Sequence, residues 1–409
     1  MIKRSPADFQ VEETLSQDFL GLLRPADAPY ALYRLCKETL ATPEAVGLIA
    51  RALGIPSGSL AYAGLKDRHA RTIQHLTLKL ESLPDAPEKA AGAGWQIERL
   101  GFVPRSITAA DIHRNRFRIV LRNLSAEHGA DIEEAANLLA APLQSPASQP
   151  AAPRVLHVVN YFGDQRFGSA RHGRGFIARH LIRGDFEGAL RLAIATEARK
   201  DRMEQKVFKR TLLEHWGRWR EVLPKLRRCP ERKPVERLAN SSGDFRAAFC
   251  GLPYLLQQMS VYAYQSFLWN AIARRLVELH CAPLGPVIAA DDPFGEMLFP
   301  AAAAVPADLA SLQLPLLARK TELVPPWAEA AAEVLKAEGI AVTDLQIPGV
   351  RRPFFGEEPR PLFLAVTDFE LGAAQTDESA RGPQRLKRRL SFSLPRGSYA
   401  TVVLRALGQ

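Results

Sequence analysis

Cysteine is scarce in this chain, with four residues among 409. Cys36, Cys229, Cys250 and Cys281 lie far apart, and no two of them form a C-x-x-C pair. Their number is too small for a disulfide scaffold and their spacing is wrong for a zinc site, so we expect four reduced thiols. The nine histidines do not group with metal-ligand spacing either. The sequence therefore predicts no metal site.

Long apolar runs and nucleotide-binding motifs are also missing. No stretch of about 18 uninterrupted apolar residues occurs, which predicts no membrane-spanning helix. Residues 1–8 turn polar after two apolar positions and lack a signal-peptide core, so the cytoplasm is the expected location. There is no G-x-x-x-x-G-K-[ST] phosphate loop, and the G-x-G-x-x-A pattern at 173–178 follows an Arg- and His-rich loop rather than an apolar strand. A nucleotide cofactor is therefore not expected.

Positive charge is present in excess. The net charge is +10 and the apolar fraction is 47%, which predicts a globular protein with a polyanionic partner. Residues 166–183 carry five arginines and no carboxylate, residues 199–237 carry 14 Lys or Arg against 6 Asp or Glu, and 385–396 is a third basic segment. Each run alone is typical of a solvated face, but together, with interleaved aromatic residues, they favour nucleic acid as the partner.

Strand patterns dominate the first 125 residues and return in the last 50. Predicted strands cover residues 9–13, 30–36, 60–64, 72–80, 95–102, 116–124, 362–366, 389–394 and 399–405. Helical patterns lie mostly between these groups, at residues 186–194, 199–219, 255–279 and 327–338. This order predicts an α+β fold with a mixed, mainly antiparallel sheet. We expect one discontinuous domain of residues 1–158 and 350–409, interrupted by an inserted domain of residues 159–349.

Two segments mark element boundaries. A helix is predicted over residues 42–53, with Thr42 as N-cap, Pro43 at the first helical position and Gly54 as the C-terminal stop. Residues 138–153 are rich in Pro, Ala and Ser and are predicted to be a connector.

The segment from Gly64 to Gln74 carries the most chemistry. It reads Gly-Leu-Lys-Asp-Arg-His-Ala-Arg-Thr-Ile-Gln, a dense polar turn between two apolar strands. Asp67 is its one carboxylate and stands between Lys66 and Arg68, cations that favour its ionised form. An ionised, positioned carboxylate can act as a nucleophile or a base. The alternative is a salt-bridged turn that organises a hairpin, and the spacing alone favours that alternative.

These residues closely resemble the signature of the TruD family of tRNA pseudouridine synthases. Further segments match family motifs in the same order: 8–13, Asn115-Arg-Phe117, Asn160-Tyr-Phe-Gly-Asp-Gln-Arg-Phe-Gly168, Gln265-Ser-Phe-Leu-Trp-Asn270 and Leu394-Pro-Arg-Gly-Ser-Tyr-Ala-Thr401. The resemblance thus extends from residue 8 to about residue 401. It implies a pseudouridine-synthase catalytic domain interrupted by an inserted α+β TRUD domain.

The resemblance also implies an activity. Family members isomerise uridine in RNA to pseudouridine, typically uridine 13 of tRNA, and the redox-neutral reaction needs no cofactor or metal. Asp67 is the implied catalytic carboxylate, with Lys66, Asn115, Phe117 and Tyr399 in the implied substrate pocket. A core position on its strand is the alternative for Phe117. A monomer with tRNA as its partner is expected.

Other interpretations stay open at this stage. The segment 160–168 either contacts RNA through Arg166 or forms a structural seam, and its aromatic residues favour packing. A non-catalytic tRNA-binding protein or RNA chaperone would keep the basic surface without needing Asp67. A methyltransferase would need a glycine-rich cofactor loop after a strand, which the sequence lacks.

Overall fold

The computed structural model describes residues 5–140, 154–170, 172–198, 201–241, 243–380 and 385–409. The chain divides into two compact units. Unit one comprises Met1–Val158, Phe299–Ala303 and Leu364–Gln409, and unit two comprises Val159–Leu298 and Ala304–Phe363. The predicted boundary at residue 349 falls inside unit two, because the strand Glu358–Pro361 pairs with Gln313–Leu316 of the same unit.

The secondary structure of the described residues is mixed. The strands are β1 Phe9–Leu15, β2 Tyr30–Glu38, β3 Leu60–Tyr62, β4 Arg71–Lys79, β5 Lys89–Gly92, β6 Trp95–Val103, β7 Ile112–Leu124, β8 Arg154–Val159, β9 Val287–Ala290, β10 Met297–Pro300, β11 Gln313–Leu316, β12 Glu358–Pro361, β13 Phe363–Leu371, β14 Gln375–Thr376 and β15 Leu386–Pro395. The α-helices are α1 Gln17–Leu20, α2 Thr42–Leu53, α3 Ala126–Leu139, α4 Ile177–Ile182, α5 Phe186–Ile194, α6 Met203–Glu214, α7 Trp219–Val222, α8 Arg232–Asn240, α9 Phe245–Cys250, α10 Tyr254–Leu276, α11 Ala307–Ala310, α12 Ala328–Glu338 and α13 Ala400–Ala406. Among these described helices, none is both long and apolar enough to cross a membrane.

An 11-stranded sheet organises unit one. Its main path runs β5-β6-β2-β4-β1-β7-β15-β13-β8, with β3 paired to β4 and β14 paired to β15. The β1–β4 pair is parallel, whereas β2 with β4 and β6, and β7 with β1 and β15, are antiparallel. The predicted α+β fold with a mixed, mainly antiparallel sheet is confirmed.

Helix α2 forms as its sequence predicts, except at its cap. It covers Thr42–Leu53, and Gly54 ends it at φ 68°, a left-handed conformation that glycine adopts without strain. Its buried face, including Ile49, packs on the β2 and β4 side chains Leu35 and Leu76. The N-cap is Ala41 rather than the predicted Thr42, because the Thr42 hydroxyl is engaged in a contact to β4 instead.

Three other local predictions need correction. The predicted strand at 399–405 is helix α13, in which Val402, Val403, Leu404 and Ala406 are all buried. Burial on several sides of one turn favours a helix, and this packing overrides the β-propensity of the valines. The predicted helix at 199–219 is broken between α6 and α7, where Gly217 has φ 89°. The predicted connector 138–153 begins inside α3, which ends at Leu139, and it lies outside the described residues from position 141 onward.

In unit two, the segment 160–168 packs against helix α10. The backbone N–H of Phe162 donates to Oδ1 of Asn270 at 2.8 Å, and Nδ2 of Asn270 donates back to the Phe162 carbonyl at 3.0 Å. Tyr161, Phe162 and Phe167 are buried, which confirms the predicted packing role of these aromatic residues. Arg166 is also held within the unit, since its Nε donates to the Ser266 hydroxyl at 3.0 Å.

Candidate active site

The signature loop joins β3 to β4 in unit one and carries Asp67. Ala63 and Ala70 are buried and anchor its two ends, while Asp67 itself is half-buried. The Thr42 hydroxyl accepts a hydrogen bond from the Lys66 backbone N–H at 2.9 Å and donates to Oε1 of Gln74 at 2.9 Å. The first turn of α2 and strand β4 therefore fix the loop. Gln74 thereby ties β4 to the start of α2.

Lys37 is the residue of this site that the sequence analysis missed. It lies on β2, is 2% exposed, and directs its ammonium at the main chain of the loop. Nζ donates to the carbonyl of Leu40 at 2.7 Å and of Asp67 at 3.1 Å, and lies 3.5 Å from that of Lys66. Burial lowers the pKa of Lys37 to about 8, although the attraction of the Asp67 carboxylate opposes that decrease. Lys37 is thus a buried cation next to Asp67.

Lys66, which the sequence analysis assigned to substrate binding, forms a buried ion pair. Its Nζ lies 2.7 Å from Oε2 of Glu13 on β1, with the Lys66 side chain 8% exposed. The other Glu13 oxygen accepts from the His75 backbone N–H at 3.1 Å. Burial opposes ionisation of Glu13, but the contacts with His75 and Lys66 outweigh it and leave its pKa below the ordinary value. The Lys66 side chain therefore links the loop to β1.

Asn115 lies beside this ion pair. It is on β7 and pairs with Glu13 across the β1–β7 ladder. Its Oδ1 is buried and has no hydrogen-bond partner within the described part of the chain. A buried amide oxygen without a partner is uncommon in native proteins and is available to accept a hydrogen bond from a ligand.

Phe117 and Tyr399 have different surroundings. Phe117 is 8% exposed and belongs to an aromatic cluster, with Phe392 stacked on it at 5.3 Å between ring centroids and Phe9 edge-on at 6.1 Å. This is the core position that the sequence analysis kept as its alternative. Tyr399 is half-buried and is the N-cap residue of α13, directly after the Leu394–Ser398 part of its motif.

A cleft of mixed charge lies next to the Glu13–Lys66 pair, with Glu12 and Asp368 in its lining as well as arginines. Its volume is about 770 Å³, and Glu13, His75, Arg114 and Arg116 are among the residues that line it. Arg116 also lines a smaller cleft of about 250 Å³ together with Arg71 and Arg118. The lining of the larger cleft, as far as the chain is described, includes the Lys66 partner Glu13 but not Asp67 itself.

The arrangement suits carboxylate chemistry on an anionic substrate. Asp67 is half-buried on a rigidly held loop, with the buried cation Lys37 beneath its main chain. Arginines at the neighbouring clefts can neutralise phosphate groups. No group of three His, Cys, Asp or Glu side chains that could hold a metal ion occurs in the described ranges.

Comparisons with known proteins point to one family over nearly the whole chain. The family model described as tRNA pseudouridine synthase D (TruD) matches residues 1–407. The tRNA pseudouridine synthase D of Aquifex aeolicus is 28% identical and covers 99% of this chain and 97% of that relative. The "Probable tRNA pseudouridine synthase D" of Methanopyrus kandleri is 31% identical and covers 93% of this chain and 85% of that relative. The crystal structure of the "Putative tRNA pseudouridine synthase D (TruD)" from Methanosarcina mazei has the same fold, with a TM-score of 0.70 at 23% identity over 99% of this chain and 92% of that one.

Proposed function

Because the chain belongs to the tRNA pseudouridine synthase D (TruD) family, a family of isomerases, we propose that it converts uridine in tRNA to pseudouridine with Asp67 as the reacting carboxylate. The observation that supports this assignment most directly is that side-chain contacts fix the main chain of the loop that carries Asp67. The Lys37 ammonium, the Thr42 hydroxyl and the Lys66–Glu13 ion pair all fix the signature loop. Preorganised placement of a reacting group is a large part of catalysis, so this fixation supports the proposed role of Asp67.

The proposed reaction rearranges one nucleoside. The bond between C1′ and N1 of uracil breaks, the base turns, and a new bond forms between C1′ and C5. C5 loses a proton as it bonds to C1′ and N1 gains one, so the product has the same composition as the substrate and no oxidant or reductant is consumed. We accordingly propose that the chain acts without a cofactor or metal. Asp67 can attack C1′, attack C6 of the base, or remove a proton from C2′, and all three roles need its carboxylate ionised.

Asn115 is the proposed partner of the uracil edge. Its buried Oδ1 lacks a hydrogen-bond partner among the described residues and can accept from N3–H of uracil. A flipped base that leaves the RNA stack gains selectivity from such contacts. Tyr399 is the proposed aromatic contact to the substrate. For Lys66 and Phe117 we propose indirect roles, since Lys66 pairs with Glu13 and Phe117 packs between two phenylalanines.

The remaining proposals follow the family. Unit one is proposed to be the pseudouridine-synthase catalytic domain and unit two the inserted TRUD domain. The target is proposed to be uridine 13 of tRNA. We further propose that the protein is a monomer and works in the cytoplasm.

Replacement of Asp67 by Asn tests the proposal. Purified protein and unmodified tRNA are incubated in dialysed, cofactor-free buffer, and pseudouridine is mapped by carbodiimide treatment and primer extension. We expect Asp67→Asn to bind tRNA with affinity within about threefold of the wild type but to form no pseudouridine. The amide removes the negative charge and keeps the side-chain shape. Asp85→Asn, the same change at an exposed position of unit one, is the matched control and should keep full activity.

Two outcomes would overturn parts of this proposal. An undiminished rate for Asp67→Asn would show that another group does the chemistry. A wild-type protein that binds tRNA but forms no pseudouridine would favour the non-catalytic RNA-binding or chaperone function.

A further inference from the structure

Two adjoining cavities in unit two are rich in arginine. Their volumes are about 640 and 270 Å³, and they share Arg174 and His180. Arg191 lines the larger cavity, and Arg179 and Arg183 line the smaller one. We call this pair of cavities the arginine cavity. It gathers four guanidinium groups from the loop before α4, from α4 and from α5.

Most of this charge is not neutralised by carboxylates. Among the described residues, Arg174, Arg183 and Arg191 have no Asp or Glu within ion-pair distance, whereas Arg179 lies 3.4 Å from Glu338. Glu197 is the one carboxylate in the described lining of the cavity, and its Oε1 already accepts from Arg210 at 3.2 Å. Three positive charges therefore remain available to an anion.

The more basic segment that follows, described over residues 201–237, carries both paired and unpaired cations. Four of its cations pair with carboxylates of the same segment. The pairs are Lys209 with Asp201 at 2.7 Å, Arg218 with Glu221 at 3.7 Å, Arg227 with Glu204 at 2.7 Å and Arg232 with Glu236 at 3.1 Å. Arg218 and Arg227 are therefore paired positions, whereas Arg174 and Arg183 of the cavity have no carboxylate within ion-pair distance among the described residues.

The cavity is held in shape by specific contacts. Nδ1 of His180 lies 2.7 Å from Oδ2 of Asp185, and this pair sits over Gly188, where an added Cβ would lie 2.4 Å from the imidazole and 2.3 Å from the carboxylate. A larger residue at position 188 would therefore displace the His180 and Asp185 side chains. The Arg191 guanidinium lies over the Trp216 ring at 5.8 Å, which limits its motion without neutralising its charge.

We infer that the arginine cavity binds phosphate groups of the RNA backbone. The inference rests on the proposed function, because it takes tRNA as the partner. Guanidinium groups form bidentate hydrogen bonds with phosphate oxygens, and such contacts position an RNA without reading its sequence. The cavity adds a tRNA-anchoring site in unit two to the carboxylate site in unit one.

The salt dependence of tRNA binding tests this inference. Dissociation constants of the full-length protein for unmodified tRNA are measured over a series of NaCl concentrations. Each lost phosphate contact lowers the slope of log K against log salt by about 0.7 to 0.9. We expect the double variant Arg174→Gln, Arg183→Gln to lower the slope by roughly 1.4 to 1.8. The control, Arg218→Gln with Arg227→Gln, removes the same net charge from paired positions and should leave the slope unchanged.

Each outcome decides the question. If the salt-dependence slope falls equally in both double variants, the effect reflects net charge alone and refutes a specific site. An unchanged slope in the cavity variant would also refute the site. If the Arg174→Gln, Arg183→Gln variant fails to fold, the double variant Arg174→Lys, Arg183→Lys is measured instead. It keeps both positive charges but lacks the guanidinium groups, so a tRNA affinity equal to that of the wild type would refute bidentate phosphate binding. The dissociation constant for tRNA does not depend on catalytic turnover. A failure of the catalytic proposal is therefore seen in a different measurement, in which the wild type forms no pseudouridine.

Discussion

Lys37→Met removes the ammonium that holds the Asp67 loop while keeping the length and apolar stem of the side chain. The two short bonds of Nζ, to the Leu40 carbonyl at 2.7 Å and the Asp67 carbonyl at 3.1 Å, involve a charged donor. At about 1.5–3 kcal/mol for each such bond, they contribute roughly 3–6 kcal/mol. The drop in the pKa of Lys37 from 10.5 to about 8 corresponds to roughly 3 kcal/mol against the buried charge. The net loss in the free energy of unfolding is therefore about 0–3 kcal/mol.

Activity should fall much more than stability. Without its anchor the Asp67 main chain can shift, and a displacement of about 1 Å at a reacting group can reduce the rate roughly 100-fold. We expect a kcat about 100-fold below the wild type, with the Kd for tRNA changed by less than about threefold. The assay is single-turnover pseudouridine formation with saturating enzyme, alongside urea denaturation. The control is Lys79→Met, at an exposed lysine on β4 that pairs with Glu81. A folded Lys37→Met enzyme with an unchanged kcat would refute the positioning role.

The pH profile gives an independent measurement. Because Lys37 has a pKa of about 8 in the folded protein and about 10.5 when unfolded, the unfolded state binds more protons between these values. The contribution of this group to stability therefore rises with pH in that window, while the positive charge beside Asp67 is lost above about pH 8. We expect the wild-type rate to decline above about pH 8 while the protein stays folded. Lys37→Arg keeps its charge and should lack that decline.

Two further expectations concern unit one. Asn115→Ala should lower kcat/KM about 5- to 100-fold, since a hydrogen bond to a buried polar group contributes about 1–3 kcal/mol. The melting temperature should stay nearly unchanged. An unaltered kcat/KM would show that Asn115 does not contact the substrate. Burial opposes ionisation of Asp377, but hydrogen bonds from Asn123, Ser379 and Arg122 outweigh it and lower its pKa to about 2. This carboxylate therefore adds roughly 2 kcal/mol of stability above pH 4, which is lost as the pH falls towards 2. Asp377→Asn should lower the free energy of unfolding at pH 7 by about 2 kcal/mol and make that free energy depend less on pH below pH 4. An unchanged urea midpoint at pH 7 would contradict this prediction.

Local signals in the sequence were sufficient for most elements of unit one. Helix α2 has the bounds that its flanking residues predict, because Pro43 and Gly54 act through their own backbone preferences. Helix α13 could not be predicted in the same way. Its valines favour a strand locally, and only contacts with residues distant in the chain bury Val402 and Val403 together.

The candidate site shows the same limit. The signature motif identifies Asp67 because chemistry requires particular side chains there. Lys37 has no such signal, since its partners are main-chain carbonyls that every residue possesses, one at nearby Leu40 and two about 30 positions along the chain. Likewise, nothing near Lys66 in the sequence indicates that its ammonium pairs with Glu13 on another strand.

The way Lys37 holds the loop has a consequence for engineering. The ammonium donates to the main-chain oxygens of Leu40 and Asp67, which a substitution at position 67 leaves in place. A smaller residue such as Ala or Gly keeps these acceptors but removes the carboxylate that raises the pKa of Lys37. Formate or acetate from solution would then fill the vacated volume and supply the carboxylate, while the protein supplies the loop that surrounds it.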